Sequence, residues 1–201
     1  MERGDVFVIS APSGSGKTTI CRLLLEKVEG LELSISYTTR PRKNGETEGK
    51  DYHFISEDIF DKMINLKEFL EYATVYGRRY GTSRDAVGKT VSSGTDVVLE
   101  IDVQGGRKVK EALPGAVLIG IFPPDWETLS RRLQERGRDS REEMAARLEA
   151  AGKEMTELLT YDFLVVNDSL EKAVTQVEWI VRAQRLRRER VRRTRERIPR
   201  R

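Results

Sequence analysis

The stretch Val6 to Cys21, VFVISAPSGSGKTTIC, limits the possible folds more than any other part of this chain. Val6–Ile9 is a short apolar run of the kind that forms a buried strand. A turn of small residues and glycines follows, and then a helical pattern carrying Ile20, Leu23, Leu24 and Leu25. Strand, glycine loop, Gly16-Lys17-Thr18 and helix is the arrangement of a phosphate-binding P-loop. Ala11, Pro12, Ser13, Gly14, Ser15, Gly16 and Thr19 complete the cradle. The glycines let backbone N–H groups converge on phosphate oxygens, and the helix N-terminus behind them favours negative charge. Lys17 is expected to reach the terminal phosphates of a nucleoside triphosphate, and the Thr18 hydroxyl to ligand Mg²⁺. Ala11 stands where the usual pattern has its first glycine. The bland alternative is a tight strand–helix turn that is merely glycine-rich.

The 201 residues are long for one compact domain and short for two, so a single α/β core with insertions is expected. The class is a P-loop core with a parallel sheet flanked by helices. A hydrophobic fraction of 38% and a charged fraction of 34% fit a soluble, charged protein. No apolar run approaches the roughly 20 residues of a membrane span. Without a signal sequence, a cytoplasmic enzyme is the default. The single Cys21 excludes an internal disulfide and reads as a small buried side chain. His53 is the only histidine, so neither a zinc cluster nor a Ser-His-Asp arrangement assembles; it reads as structural. From Arg182 to Arg201 there are eleven arginines against Glu189 and Glu196. Trp179, Ile180, Ala183, Leu186 and Val191 recur at near-helical spacing. An amphipathic terminal helix with a solvated basic face is therefore favoured over a nucleic-acid contact.

Taken in order, Leu31–Thr39 alternates as a strand with one exposed face, and Asp51–Ile55 is a second short strand. Ser56 caps a helix. Phe69–Ala73 and Tyr76–Thr82 form a strand pair, and Arg84–Ser92 a helix. Asp96–Asp102 is a core strand ending in carboxylates, where parallel sheets place their ligand crevice. The spacing then predicts a helix over Gly106–Leu113 and a strand over Ala116–Phe122. Two amphipathic helices, 126–137 and 140–159, and the strand Phe163–Val166 complete the core. The inserted segment gathers Ser36, Arg40, Lys43, Tyr52, Glu71, Tyr80 and Thr82, a set able to hold a second, phosphorylated ligand. Guanine offers N1–H and N2–H₂ donors, which suit two acceptors such as Glu71 and Asp102. By composition alone, surface strands carry such residues too.

Five ordered runs narrow this choice: Ser36-Tyr-Thr-Thr-Arg40, Gly49-Lys-Asp-Tyr52-His-Phe54, Glu68-Phe-Leu-Glu71-Tyr72, Tyr80-Gly81-Thr82 and Glu100-Ile-Asp102-Val-Gln-Gly105. Together with the P-loop they resemble the guanylate kinases, over Val6 to about Val181. The resemblance implies ATP and GMP as substrates, with Mg²⁺, and a reversible transfer giving ADP and GDP in purine nucleotide metabolism. Ser36, Glu71, Thr82 and Asp102 would contact guanine; Arg40, Tyr52 and Tyr80 would hold the GMP phosphate. Where the family usually has a second phosphate-binding arginine this chain has Lys43, so either Lys43 serves or the turn shifts to use Arg42. Arg132, Arg136 and Arg147 match lid arginines that close over the phosphates, and Asn167 matches a position bordering adenine. Read without the family, the same arginines could be helix-surface ion pairs with Glu135, Glu142, Glu143 and Glu149.

The implied division is a core of 1–33, 94–124 and 149–201, a GMP-binding insertion 34–93 and a lid 125–148. Partners are then small molecules, with no membrane and no nucleic acid expected, and a monomer or homodimer. Two rival readings remain: a scaffold of similar fold without catalysis, and a P-loop kinase with another acceptor.

Overall fold

The structure, a computed structural model, describes residues 3–75, 77–135 and 141–187. Arg136 and the tail beyond residue 187, with Val191, lie outside the described residues.

The core is a five-stranded parallel sheet in the order β2-β7-β1-β8-β9. Its strands are β1 (Val6–Ser10), β2 (Leu31–Leu33), β7 (Asp96–Glu100), β8 (Val117–Phe122) and β9 (Phe163–Val166). Helices cover both faces, so the central strands are near-continuous apolar runs. Within β1 the alternation still sorts partners. Phe7 and Ile9 face Ile20 and Leu24 of α1 (Lys17–Lys27) and Val174, Val177 and Val181 of α7 (Leu170–Arg185). Val6 and Val8 face α3 (Arg84–Ser92), α4 (Val103–Ala112) and the end of α6 (Arg141–Leu158). Cys21 is buried in the first of these layers, and burial together with nearby Glu100 holds its thiol well above the usual range. That fits the structural reading of this residue.

A second sheet, β4-β3-β6-β5, carries the inserted segment. It contains β3 (Tyr37–Thr38), β4 (His53–Phe54), β5 (Phe69–Val75) and β6 (Arg78–Ser83), with α2 (Glu57–Asn65) capped by Ser56. The single strand expected over Leu31–Thr39 is in fact two. β2 pairs with β7 in the core, while β3 pairs with β4 and β6 in the other sheet. The Ser34 N–H still bonds the Val98 carbonyl, and beyond it the chain crosses between sheets. Alternation reports exposure on each sheet and carries no mark where a strand changes sheets. His53 packs on the Tyr37 ring at 4.6 Å and its Nδ1 lies 3.0 Å from Glu48 Oε1, a structural placement.

The helix expected from Gly106 begins three residues earlier, at Val103. Asp102 caps it, its Oδ1 accepting from the Gly105 N–H at 2.9 Å. Gly105 and Gly106 disguise this first turn because glycine is a poor helix former. Packing requires both: a Cβ on Gly105 would lie 2.7 Å from Glu71 Oε2, and one on Gly106 would lie 2.0 Å from the Tyr161 hydroxyl. That hydroxyl donates to Ser10 Oγ (3.0 Å) and reaches the Val103 carbonyl, tying the start of α4 to the end of β1. Tyr161→Phe therefore removes a buried hydrogen bond at the edge of the cleft. Its expected cost is about 1–2 kcal/mol, a fall of several degrees in Tm on thermal unfolding.

The terminal helix also differs from its sequence pattern. Its buried face is Ala173, Val174, Val177 and Val181, whereas Trp179 and Leu186 are exposed. Trp179 follows Val177 by two positions, about 200° around the helix. Nor is Arg185 part of a solvated face. It donates from Nε to the fully buried Asp96 at 2.8 Å and from Nη2 to the Glu29 carbonyl at 2.9 Å. Asp96 also accepts from the Asp5 N–H at 2.7 Å, so the pair ties α7 to the sheet.

Candidate active site

The carboxyl ends of β1, β7, β8 and β9 lie along one edge of the core sheet. At the end of β1 the loop turns through Gly14 and Gly16, both with φ of +90°. A side chain at Gly16 would be strained by that angle, and its Cβ would also lie 2.5 Å from Asn167 Nδ2. Gly16 caps α1 without a side chain, and the first turn has no acidic residue. The leading N–H groups of α1 therefore face an electropositive opening, as an anion site requires. Ala11 is buried at the start of the loop, where a methyl group is accommodated. Thr19 is exposed.

Lys17 extends from this loop to the next strand, its Nζ donating to the Ile101 carbonyl at 2.9 Å. Thr18 Oγ1 donates to Glu100 Oε1 at 2.5 Å. A hydroxyl and a carboxylate thus sit together beside the loop. These are hard oxygen donors suited to Mg²⁺, which takes one or two protein ligands and completes its shell with phosphates and water. Among the described residues there is no group of three or more His, Cys, Asp or Glu placed to hold a metal alone.

Asn167, after β9, does not point outward. Its Nδ2 donates to the Ser15 carbonyl at 2.8 Å, holding the loop, and Arg132 Nη2 reaches the Asn167 carbonyl at 3.4 Å. Arg132 is carried by α5 (Trp126–Glu135), whose Leu129 and Leu133 pack over Gly14. Asn167 Oδ1, Ser15 Oγ and Arg132 Nη1 are buried without a hydrogen-bond partner among the described residues. Unmet buried polar atoms grouped around a phosphate loop suit an incoming polar ligand. Arg147 lies on α6, half-buried.

Across the cleft, a cavity of about 170 Å³ is lined by Lys17, Ser36, Tyr52, Glu71, Tyr80 and Asp102, among others. Glu71 is 5% exposed and its Oε1 accepts from Thr82 Oγ1 at 2.6 Å. Burial, helped by repulsion from Asp102 and opposed by the Thr82 bond, pushes its carboxyl up to about 7. Ser36 and Thr82 are buried beside it. Asp102 has one oxygen on the α4 cap and the other remaining for the cavity. At the far end the Tyr52 and Tyr80 rings are 5.8 Å apart, and the Arg40 guanidinium lies 5.3 Å above Tyr52. Burial first, then Glu100, pushes the Tyr52 phenol up to about 12, so it stays a donor.

Seven of the residues singled out in the sequence therefore meet in one cleft: Lys17, Ser36, Tyr52, Glu71, Tyr80, Thr82 and Asp102. Lys43 and Arg42 are both exposed on the turn after Pro41. Three contributors were not legible. Glu46 grips Arg40 through both oxygens (2.7 and 3.1 Å) and accepts from the Lys43 N–H at 2.7 Å, organising that turn. Its hydrogen bond is the main reason the Arg40 guanidinium stays firmly charged. Gly105 makes the room that Glu71 occupies. Glu154, on α6, enters the cleft from the lid side; burial and then Asp102 push its carboxyl up to about 7. Only the four-residue gap between Pro41 and a following acid hinted at the first, and no local signal marks the others.

The comparisons agree with this geometry. The family model described as guanylate kinase matches residues 3–184. A guanylate kinase of Neisseria gonorrhoeae is 49% identical over 188 residues, covering 94% of this chain and 92% of that protein. One from Caldanaerobacter subterraneus subsp. tengcongensis is 46% identical, covering 92% and 90%. The crystal structure of guanylate kinase from Anaplasma phagocytophilum superposes with a TM-score of 0.79 at 33% identity, covering 94% of this chain and 90% of that one. With a P-loop, a buried carboxylate pocket and full-length likeness together, the chain belongs to the guanylate kinase family.

Proposed function

We propose that the cleft seats ATP on the Ala11–Thr19 loop and GMP in the Glu71 cavity, and that the residues around them divide the work as follows. Membership in the family makes the chain an ATP:GMP phosphotransferase. The observation that carries the residue assignments is that Lys17 lines the same cavity as Glu71, so one cleft serves both substrates.

Glu71 accepts from the guanine N1–H and N2–H₂ groups, with Ser36, Thr82 and the remaining Asp102 oxygen completing the base site. Arg40, Tyr52 and Tyr80 hold the GMP phosphate, with Lys43 or Arg42 as a second cation. The acceptor oxygen is already anionic, so no strong general base is needed. What remains is to hold two polyanions in line and offset the charge between them. Lys17, Arg40, Arg132, Arg136 and Arg147 supply that positive field. Thr18, beside Glu100, holds Mg²⁺, which when bound with ATP lowers the charge on its terminal phosphates. Asn167 fixes the loop from behind and borders the adenine side. A closed, dry cleft strengthens each of these contacts and keeps water from the γ-phosphoryl.

Closure involves the insertion, 34–93, and the lid, 125–148, moving against the core, 1–33, 94–124 and 149–201. The 148/149 boundary falls inside α6, so lid motion would be transmitted along one helix. Among the described residues no helix is long and apolar enough to cross a membrane; a cytoplasmic location and a monomeric or homodimeric state belong to this reading. Separate assays of ADP formation with GMP, AMP, CMP and UMP test it. Turnover confined to GMP is expected, and turnover with another acceptor would overturn the base-site roles.

The raised carboxyl of Glu71 adds a pH signature. Ionised Glu71 accepts both guanine donors, whereas protonated Glu71 presents a hydrogen to them. Below about 7 it is increasingly protonated in the free protein, so kcat/KM for GMP should rise with pH through about 7. Glu154 titrates in the same range and a phosphate monoester near pH 6. The Glu71 component is assigned by its loss in Glu71→Gln, with the contributions of Glu154 and of the substrate phosphate retained; an unchanged profile in that variant would refute the assignment.

A further inference from the structure

A second cavity, about 250 Å³, opens beside the guanine pocket and shares Val75 and Asp102 with it. The established reaction leaves it without a role. Its floor is the start of α4 with Gln104, its rim is the end of β5 with Thr74, and its far wall is α6 with Glu154 and Glu157. Lys153 is its only cation among the lining residues, and its ammonium pairs with Glu149 at 2.8 Å.

The charge of this wall selects what can enter. Three carboxylates repel a phosphate, and the base already has its acceptor in Glu71. The remaining part of a nucleotide is the sugar, which is neutral and carries hydroxyl donors. It joins a base held at Glu71 to a phosphate held at Tyr52 and Tyr80, and so lies along the shared wall of Val75 and Asp102.

Glu154 is the group best placed to meet it. Its carboxylate is half-buried and has no hydrogen bond or ion pair with any described residue, so its acceptor capacity is unused. Asp102, by contrast, already caps α4. On α6, Ala150, Glu154 and Glu157 follow Arg147 by three, seven and ten positions, which sets all four on one face. Arg147 and Glu154 are then about 10 Å apart along the axis, roughly the separation of a phosphate end and a sugar within one closed site.

We propose that Glu154 is a specificity-determining residue of the acceptor site, its carboxylate accepting hydrogen bonds from the ribose hydroxyls of GMP. The inference rests on the placement of guanine against Glu71. Because α6 also carries Arg147, a sugar held by Glu154 draws the same helix that presents the lid arginine to the phosphates.

Steady-state kinetics of the full chain with GMP, 2′-deoxy-GMP and 3′-deoxy-GMP test this, in the unaltered protein, Glu154→Ala and the near-isosteric Glu154→Gln. The unaltered protein should use GMP better than at least one deoxy form. Glu154→Ala should lose roughly 10- to 100-fold in kcat/KM for GMP, the range of a hydrogen bond to a charged group. It should change little for that deoxy form, so that the preference collapses toward one, and Glu154→Gln should fall between. Equal losses on all three substrates, an unaltered preference in the variants, or no preference in the parent protein would each overturn the proposal. The base placement is read separately with inosine monophosphate, which lacks the 2-amino donor. If the parent protein uses it as well as GMP, Glu71 does not read the 2-amino group and the premise of the inference fails; the ribose comparison, made with guanine nucleotides alone, reports on Glu154 separately.

Discussion

Lys17→Ala is expected to abolish phosphoryl transfer to every acceptor nucleotide, lowering kcat by about a thousandfold or more. The ammonium belongs to both halves of the cleft. It leaves the P-loop at the N-terminus of α1, is held by the Ile101 carbonyl at 2.9 Å, and lines the cavity that contains Glu71. Transfer moves negative charge across the space between these two sites, and a fixed positive charge there stabilises the transition state more than either ground state. The loss should therefore appear in kcat with GMP and dGMP alike. The fold should survive, because the lysine aliphatic chain is only half-buried and its bond is to a strand-end carbonyl. Single-turnover assays with excess enzyme separate this outcome from weak ATP binding. Retention of near-normal kcat with a raised KM for ATP would contradict the assignment of Lys17 to the transferred group.

Glu71→Ala should be selective where Lys17→Ala is general. Two guanine donors would be stranded in a buried pocket, each costing on the order of 1–3 kcal/mol. The expected result is a loss of at least 10- to 100-fold in kcat/KM for GMP, with ATP affinity nearly unchanged. The same substitution leaves the Thr82 hydroxyl, fully buried, without its acceptor at 2.6 Å, and opens a void opposite Gly105. A modest fall in Tm should accompany the loss. Isothermal titration with GMP and with a non-hydrolysable ATP analogue distinguishes the two substrates directly. An equal loss of affinity for both would mean that Glu71 supports the cleft as a whole and does not read the base.

Much of this was legible in one dimension. Apolar runs placed β1, β7 and β8 within a residue or two, because strands buried on both faces need no polar alternation; the apolar run of β9 placed it too, although only Val165 of that strand is buried. A serine cap placed α2 for an equally local reason: the Ser56 hydroxyl accepts from the Ile59 N–H three residues on. Lys17 and Thr18 could be assigned to the phosphate loop because that loop's chemistry lies within eight consecutive residues.

The start of α4, the split of Leu31–Thr39 and the exposure of Trp179 were not legible, since each was decided by a distant partner. Asp102 looked like a site carboxylate and proved also to be a helix cap, because Gly105 and Gly106 are demanded by Glu71 and Tyr161 from elsewhere in the chain. Arg185 looked like part of a solvated basic face, and only the placement of α7 against the sheet set it against Asp96, 89 residues away. What the sequence determined by itself was the set of local elements and the phosphate loop, whose interactions run between near neighbours. The tertiary structure alone decided which carboxylates share the cleft, because the burial of Glu71 and Glu154 and their repulsion from Asp102 arise only when β5, the start of α4 and α6 converge.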